Sequence, residues 1–163
     1  MSDGARAKFD AALAECRVHA AVLVDDRSRL PAAFVAADMP VLSSEDRRSL
    51  DQAAYRFMKL QDSLGEKVLP GILALTLEPL PPEATFAEKL QRLERLGVLP
   101  SVQSWRLLRE VRNSLAHEYP ENPALQAAML TRFMTGVSEL LAVWAAVDGY
   151  VAQRLGPSAA GSS

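Results

Sequence analysis

The densest group of chemistry-bearing side chains in the sequence is Arg112-Asn113-Ser114-Leu115-Ala116-His117-Glu118-Tyr119. A histidine gains or loses a proton near neutral pH, because the unperturbed imidazole pKa is about 6.5. An arginine guanidinium is always charged and presents a planar fork that fits an oxyanion. Residues four apart share a helix face, so Asn113 and His117 are expected together. Arg112 and Tyr119, seven apart, are expected on the adjacent stripe if the helix persists. These polar groups would converge on one edge, near a helix end where Pro120 redirects the chain. Arg106 and Arg109 precede Arg112 at spacing three and form with it a drifting basic ridge toward that edge. A structural reading stands beside the chemical one: cations at a helix end also satisfy its last carbonyls.

Other familiar chemistry is missing. His19, His117 and Cys16 are the only histidines and cysteine, which is too few for a conventional His/Cys zinc site in one chain. The eight glycines form neither a dinucleotide fingerprint nor a phosphate loop. No serine sits in a nucleophile-elbow spacing. The carboxylates are scattered, and no pair stands out for magnesium. No metal and no cofactor are expected.

Composition narrows the class. With 163 residues, 49% hydrophobic and 23% charged, the chain is expected to be one folded domain and not disordered throughout. Eighteen basic against twenty acidic residues give a net charge of -2, which excludes a globally basic nucleic-acid coat but allows a local ridge. A lone cysteine cannot form an intramolecular disulfide. No apolar run reaches the length of a membrane span. The opening Met1-Ser2-Asp3-Gly4 does not resemble a secretory signal. A cytoplasmic protein with no membrane association is expected.

Apolar residues recur at spacings of three and four, with few β-branched residues, which predicts helices almost everywhere. A first helix is expected from about Asp3 to Asp25, with Phe9, Leu13, Cys16, Ala20 and Leu23 as its apolar stripe. Arg27 to Pro40 reads as a connector with a short helical turn through Ala32 to Ala37. Ser43 and Ser44 cap a long helix through Leu50, Ala54, Phe57, Met58 and Gln61. Gly65, Pro70 and Gly71 are expected to kink or break it, with a second segment at Leu69 to Leu77. Glu78 to Pro82 is a stiff loop. Thr85 with Glu88 forms a capping box for a helix from Phe86 to Leu96, which stops at Gly97. The next helix covers about Val102 to His117. Asn122 and Pro123 open a last helix reaching about Leu155. The expectation is an all-α, up-and-down bundle of about five helices. It forms one domain over 1–155, followed by a disordered tail at 156–163.

Arg112 to Tyr119 resembles the signature of the HEPN superfamily: an arginine, four to six residues, then a histidine, with a polar residue such as Asn113 directly after the arginine. The tyrosine at position 119 resembles the HepT toxin branch in particular. The resemblance implies a HEPN-like helical bundle that acts on RNA as a metal-independent endoribonuclease. It implies a homodimer with the active site at the dimer interface. Arg112, Asn113 and His117 would be catalytic, and Arg109 and Arg106 would bind RNA. RNA supplies its own nucleophile, the 2′-hydroxyl; cleavage needs a base for that proton, a cation for the charged phosphorane and an acid for the leaving 5′-oxygen. His117 would serve as base or acid, Arg112 would clamp the phosphate, and Asn113 would orient His117 or donate to a phosphate oxygen. Two copies about a two-fold axis would supply both acid and base. The resemblance further implies a toxin–antitoxin system. Its minimal nucleotidyltransferase partner, the antitoxin, would attach AMP to Tyr119, placing a bulky anion in the site. The alternative is a catalytically inactive HEPN interaction module, a substrate-binding or antitoxin-component subunit of a nucleotidyltransferase.

The remaining polar and aromatic residues read as structure. His19 is expected at the core boundary and Cys16 as a small buried hydrophobe. Trp105, Trp144, Phe133 and Met134 lie at helical spacing and read as core or interface. Tyr55, Lys59 and Asp62 could face the signature across the bundle, but an ordinary solvated face is the expectation. Arg27, Arg29, Arg47 and Arg48 read as solvated surface.

Overall fold

Five helices begin at a side-chain oxygen that accepts a backbone N–H three residues on. The pairs are Ser2 with Ala5 (3.3 Å), Ser43 with Asp46 (3.0 Å), Thr85 with Glu88 (3.2 Å), Ser101 with Ser104 (3.2 Å) and Asn122 with Leu125 (3.1 Å). The computed structural model describes residues 2–76, 80–117 and 121–156. Its α-helices are α1 (Asp3–Arg29), α2 (Ser44–Ser63), α3 (Leu69–Leu75), α4 (Phe86–Arg95), α5 (Val102–Ser114) and α6 (Pro123–Arg154). A 3₁₀ helix (Ala36–Val41) precedes α2, and a π-helical turn (Leu64–Val68) joins α2 to α3. Among the described residues there is no strand.

Paired contacts fix the directions. Along α1, Phe9 meets Gly71, Glu15 meets Lys67 (3.4 Å) and His19 meets Arg56 (3.0 Å), so the α2–α3 rod runs antiparallel to α1. Arg17 reaches Asp148 (2.9 Å) and Arg6 reaches the carbonyl of Gly156 (2.7 Å), so α6 is also antiparallel to α1. Helix α5 runs against both α2 and α6, through Trp105 on Gly65, Arg112 on Asp62, and Val111 on Gly136. The four long elements are therefore an up-and-down bundle, as the sequence predicts. The core lies between them and holds Leu23, Phe57, Leu60, Leu64, Trp105, Leu108, Leu140 and Val147. Each such side chain contributes about 1.5–3 kcal/mol by leaving water. Phe57 and Phe133 meet edge to face at 5.5 Å. Cys16, Met134 and Trp144 are buried as expected.

Four boundaries differ from the sequence reading, each for a local reason. Helix α1 continues past Asp25 to Arg29, because nothing stops it until Pro31 forces Leu30 into an extended conformation. The connector's helical turn is at Ala36–Val41 and not Ala32–Ala37; the Asp38 carboxylate accepts the Val35 N–H (2.8 Å) and starts it there. Gly65, Pro70 and Gly71 do not break the rod. The wide π turn absorbs an extra residue and gives room to Pro70, which has no N–H to donate. Helix α5 ends at Ser114, three residues before His117. There the Ser114 hydroxyl bonds the Val111 carbonyl (2.7 Å), and Ala116 and His117 close in tight turns onto Asn113 and Ser114 (both 3.2 Å).

Gly97, at φ +76°, ends α4 as predicted, and the Leu93 carbonyl takes the N–H groups of Val98 and Leu99. Helix α6 is long and apolar enough to cross a membrane, which the sequence reading did not expect of any segment; Glu139 and Asp148 lie on it, and over half of its apolar window is buried inside the bundle. The predicted stiff loop falls partly, and the predicted tail almost wholly, outside the described residues.

Candidate functional site

Helix α5 buries Trp105, Leu108 and Val111, and this roll angle turns Arg112, four residues after Leu108, toward α2. There Asp62 takes it side-on. Arg112 Nε donates to Oδ1 at 2.9 Å and Nη2 donates to Oδ2 at 2.8 Å. The pair is partly open to solvent, with side-chain exposures of 28% and 33%. Hydrogen bonding to Asp62 raises the Arg112 pKa above its ordinary value, and Glu66 adds to the field, so the guanidinium is held charged. Asp62 is thus not on a merely solvated face, which corrects the expectation for it. Tyr55 and Lys59 are on one: both are exposed, with the Lys59 ammonium 5.7 Å from the Tyr55 ring.

The approach of α2 to α5 at this level has a cause in the sequence. Gly65 lies against the indole of Trp105, where an added Cβ would stand 3.1 Å from Cζ2. The π turn that contains Gly65 begins two residues after Asp62. A small residue and a widened turn therefore set the spacing at which the carboxylate reaches the guanidinium.

The other predicted site residues are distributed around this pair. Asn113 is exposed on the last turn of α5. His117 is exposed in the turn beyond it, so the two do not share an α-helical face; the early stop at Ser114 removes the geometry on which that expectation rested. Arg109 turns toward α4 and stacks over the Phe86 ring at 5.3 Å. Arg106 is exposed. The basic ridge is therefore split: Arg112 faces α2 and Arg109 faces α4. Tyr119 and Pro120 lie outside the described residues.

One partner escaped the sequence reading, Phe86 as the platform under Arg109, and another, Asp62, was weighed there as able to face the signature but expected on a solvated face. Phe86, 47% exposed, follows the capping Thr85 directly, and an exposed aromatic at the first position of an otherwise amphipathic helix is the signal that marks it.

A second arginine–histidine contact lies between α1 and α2. Arg56 Nη1 is 3.0 Å from His19 Nδ1. The guanidinium can only donate, so Nδ1 accepts and the ring is neutral. Burial, then the Arg56 charge, lowers the His19 pKa from its ordinary value. One helical turn beyond Leu23 on α1, Asp26 is buried and bonded by Gln52, and its Oδ2 has no partner. Burial, with neighbouring Asp25, raises the Asp26 pKa. Cys16 is inert by the same logic, its thiol pushed up to about 12 by burial.

Surface hollows lie between α1 and α3 (Phe9, Lys67, Gly71) and beside the 3₁₀ helix (Met39, Arg47, Leu130). Neither hollow includes Arg112 or His117. Among the described residues no three His, Cys, Asp or Glu side chains converge as a metal site. Compared with known proteins, the chain matches no family model, no curated protein and no solved structure.

Proposed function

We propose that this chain is a HepT-like member of the HEPN superfamily. In this reading it is a metal-independent endoribonuclease that works as a homodimer, is neutralised by a partner nucleotidyltransferase, and belongs to a toxin–antitoxin system of the cytoplasm. The observation that carries the reading is the Arg112–Asn113–His117 spacing at the end of a late helix in an all-helical, up-and-down bundle. Arg112 is charged, partly exposed and fixed in direction, as a phosphate clamp must be. His117 is exposed and free to reach a substrate or a second copy.

Arg109 and Arg106 extend positive charge along α5 for the RNA backbone. Leu107 on α5 and Leu125 on the first turn of α6 are exposed apolar residues on the elements that flank the signature, which suits an interface there. Tyr119 is the residue that the partner would modify with AMP.

A second reading is a HEPN module without catalysis that serves as the binding subunit of the nucleotidyltransferase. The Arg112–Asp62 bond favours it, because that carboxylate already neutralises the one guanidinium the chemistry would use.

Expression separates the two. Wild-type chain alone is expected to arrest growth, and His117→Ala to be harmless at the same protein level. Growth unaffected by folded wild-type chain would select the second reading. Intact mass after co-expression with a minimal nucleotidyltransferase tests Tyr119, with one added AMP expected and none in Tyr119→Phe.

A further inference from the structure

The side-on grip of Asp62 has a directional consequence. It engages Nε and one hydrogen of Nη2, and leaves Nη1 and the outer edge of the guanidinium without a partner among the described residues. That outer Nη1/Nη2 edge is a second fork of two parallel N–H groups, the arrangement that binds two oxygens of one phosphate.

We propose that Asp62 is a positioning residue for the Arg112 site, holding the guanidinium by its inner edge so that its outer edge is presented to a phosphodiester. The proposal rests on the nuclease reading above and names a residue of α2 that the signature itself does not contain.

Two independent features support it. The first is the bond geometry, with both contacts under 3 Å and in the bidentate pattern that fixes the plane of an arginine as well as its distance. A free arginine side chain loses rotamer freedom on clamping a phosphate, and a held one has already lost it. The second is the backbone beneath. The π turn and Gly65 against Trp105 bring α2 close to α5 directly beside Asp62, and π turns are frequent at functional sites. A solvated surface ion pair needs neither.

Asp62 also carries a negative charge, which would repel a phosphate if it stood in front of Arg112. The opposite hypothesis is therefore a carboxylate that blocks the site, and it predicts effects of opposite sign.

The test uses full-length wild type, Asp62→Asn, Arg112→Ala and the double variant, each checked for helicity and melting. Two quantities are read: RNA cleavage in excess chelator, and binding of a 2′-deoxy oligonucleotide, which cannot be cleaved by this route. Asp62→Asn keeps the shape and one acceptor but removes the charge. It is expected to slow cleavage and weaken binding by about tenfold or more, and to add nothing to Arg112→Ala. A purely structural role would lower melting while leaving cleavage per folded molecule unchanged. That result overturns the proposal, as does faster cleavage or tighter binding by Asp62→Asn. Should Asp62→Asn fail to fold, Asp62→Glu replaces it: slower cleavage at retained helicity supports positioning, and unchanged cleavage overturns it. A wild type that neither cleaves nor binds defeats the nuclease reading and this inference with it. An active, Arg112-dependent wild type that is indifferent to Asp62→Asn defeats only this inference.

Discussion

Arg56 touches His19 across a helix seam, whereas Arg112 stands five positions before His117 in the chain, and the two arginines are engaged in opposite ways. Arg56 donates to His19 across the α1–α2 seam, keeps the ring neutral and half-buries it. Arg112 gives its inner edge to Asp62 across the α2–α5 seam, and His117 stays exposed in the turn beyond. The same residue types give a locked structural contact in one place and a held cation with an open imidazole in the other. What decides between them is the partner of the arginine. An imidazole that must accept from a guanidinium cannot also take up a proton. Arg112 has a carboxylate partner instead, and the His117 side chain is exposed to solvent.

The contrast can be broken from the packing side first. Trp105 is fully buried against Gly65 beneath the α2–α5 seam. Trp105→Ala is expected to cost about 3–5 kcal/mol in chemical denaturation, the largest single effect in either region. Gly65→Val is next, at about 1–3 kcal/mol, because the added carbons meet the indole and push α5 outward. Its signature is a loss of RNA cleavage larger than the loss of folded protein, since the Asp62–Arg112 bond is broken. Equal losses would mean that the seam spacing does not matter to the site.

The His19 region predicts smaller effects with a definite pH sign. A folded-state pKa below the unfolded value means that the unfolded chain binds the proton first. The His19 contribution is therefore present above about pH 6.5, the ordinary imidazole value, and is lost as pH falls through the lowered folded value. His19→Gln is expected to flatten the fall in melting temperature over that window and to leave RNA cleavage unchanged at neutral pH. A cleavage defect in folded His19→Gln would erase the distinction between the two regions. The smallest effect concerns Asp26. Its folded pKa is raised, so its contribution is present below the ordinary carboxylate pKa and lost as pH rises through the folded value. Asp26→Asn is expected to raise the neutral-pH melting temperature by a few degrees at most, about 1 kcal/mol. The gain should vanish in acid.

Most of the scaffold was legible because its signals are local. Ser43, Thr85 with Glu88, Gly97 and Asn122–Pro123 each act within a few residues of themselves, and each starts or stops a helix where the sequence says. The π turn was not legible, because whether Gly65 and Pro70 break a helix or widen one turn depends on Trp105 across the seam. The end of α5 was missed for a similar reason: the hydroxyl of Ser114 competes for a carbonyl, which apolar periodicity does not register. Within the candidate site, Arg112, Asn113 and His117 were visible as a spacing. Asp62, fifty positions away in the chain, was visible only as one of three residues that could face the signature, and the antiparallel register of α2 on α5 decides that it does.

The proposed ribonuclease activity assigns metal-free RNA cleavage to the Arg112 and His117 side chains. The direct measurement is the rate of single-turnover RNA cleavage by purified chain in excess chelator, wild type beside His117→Ala. The expected result is cleavage by wild type that leaves 2′,3′-cyclic phosphate ends, and a loss of about a hundredfold or more in His117→Ala with its helicity intact. Equal rates in the two proteins, or wild-type cleavage that stops when the metal is removed, would contradict it.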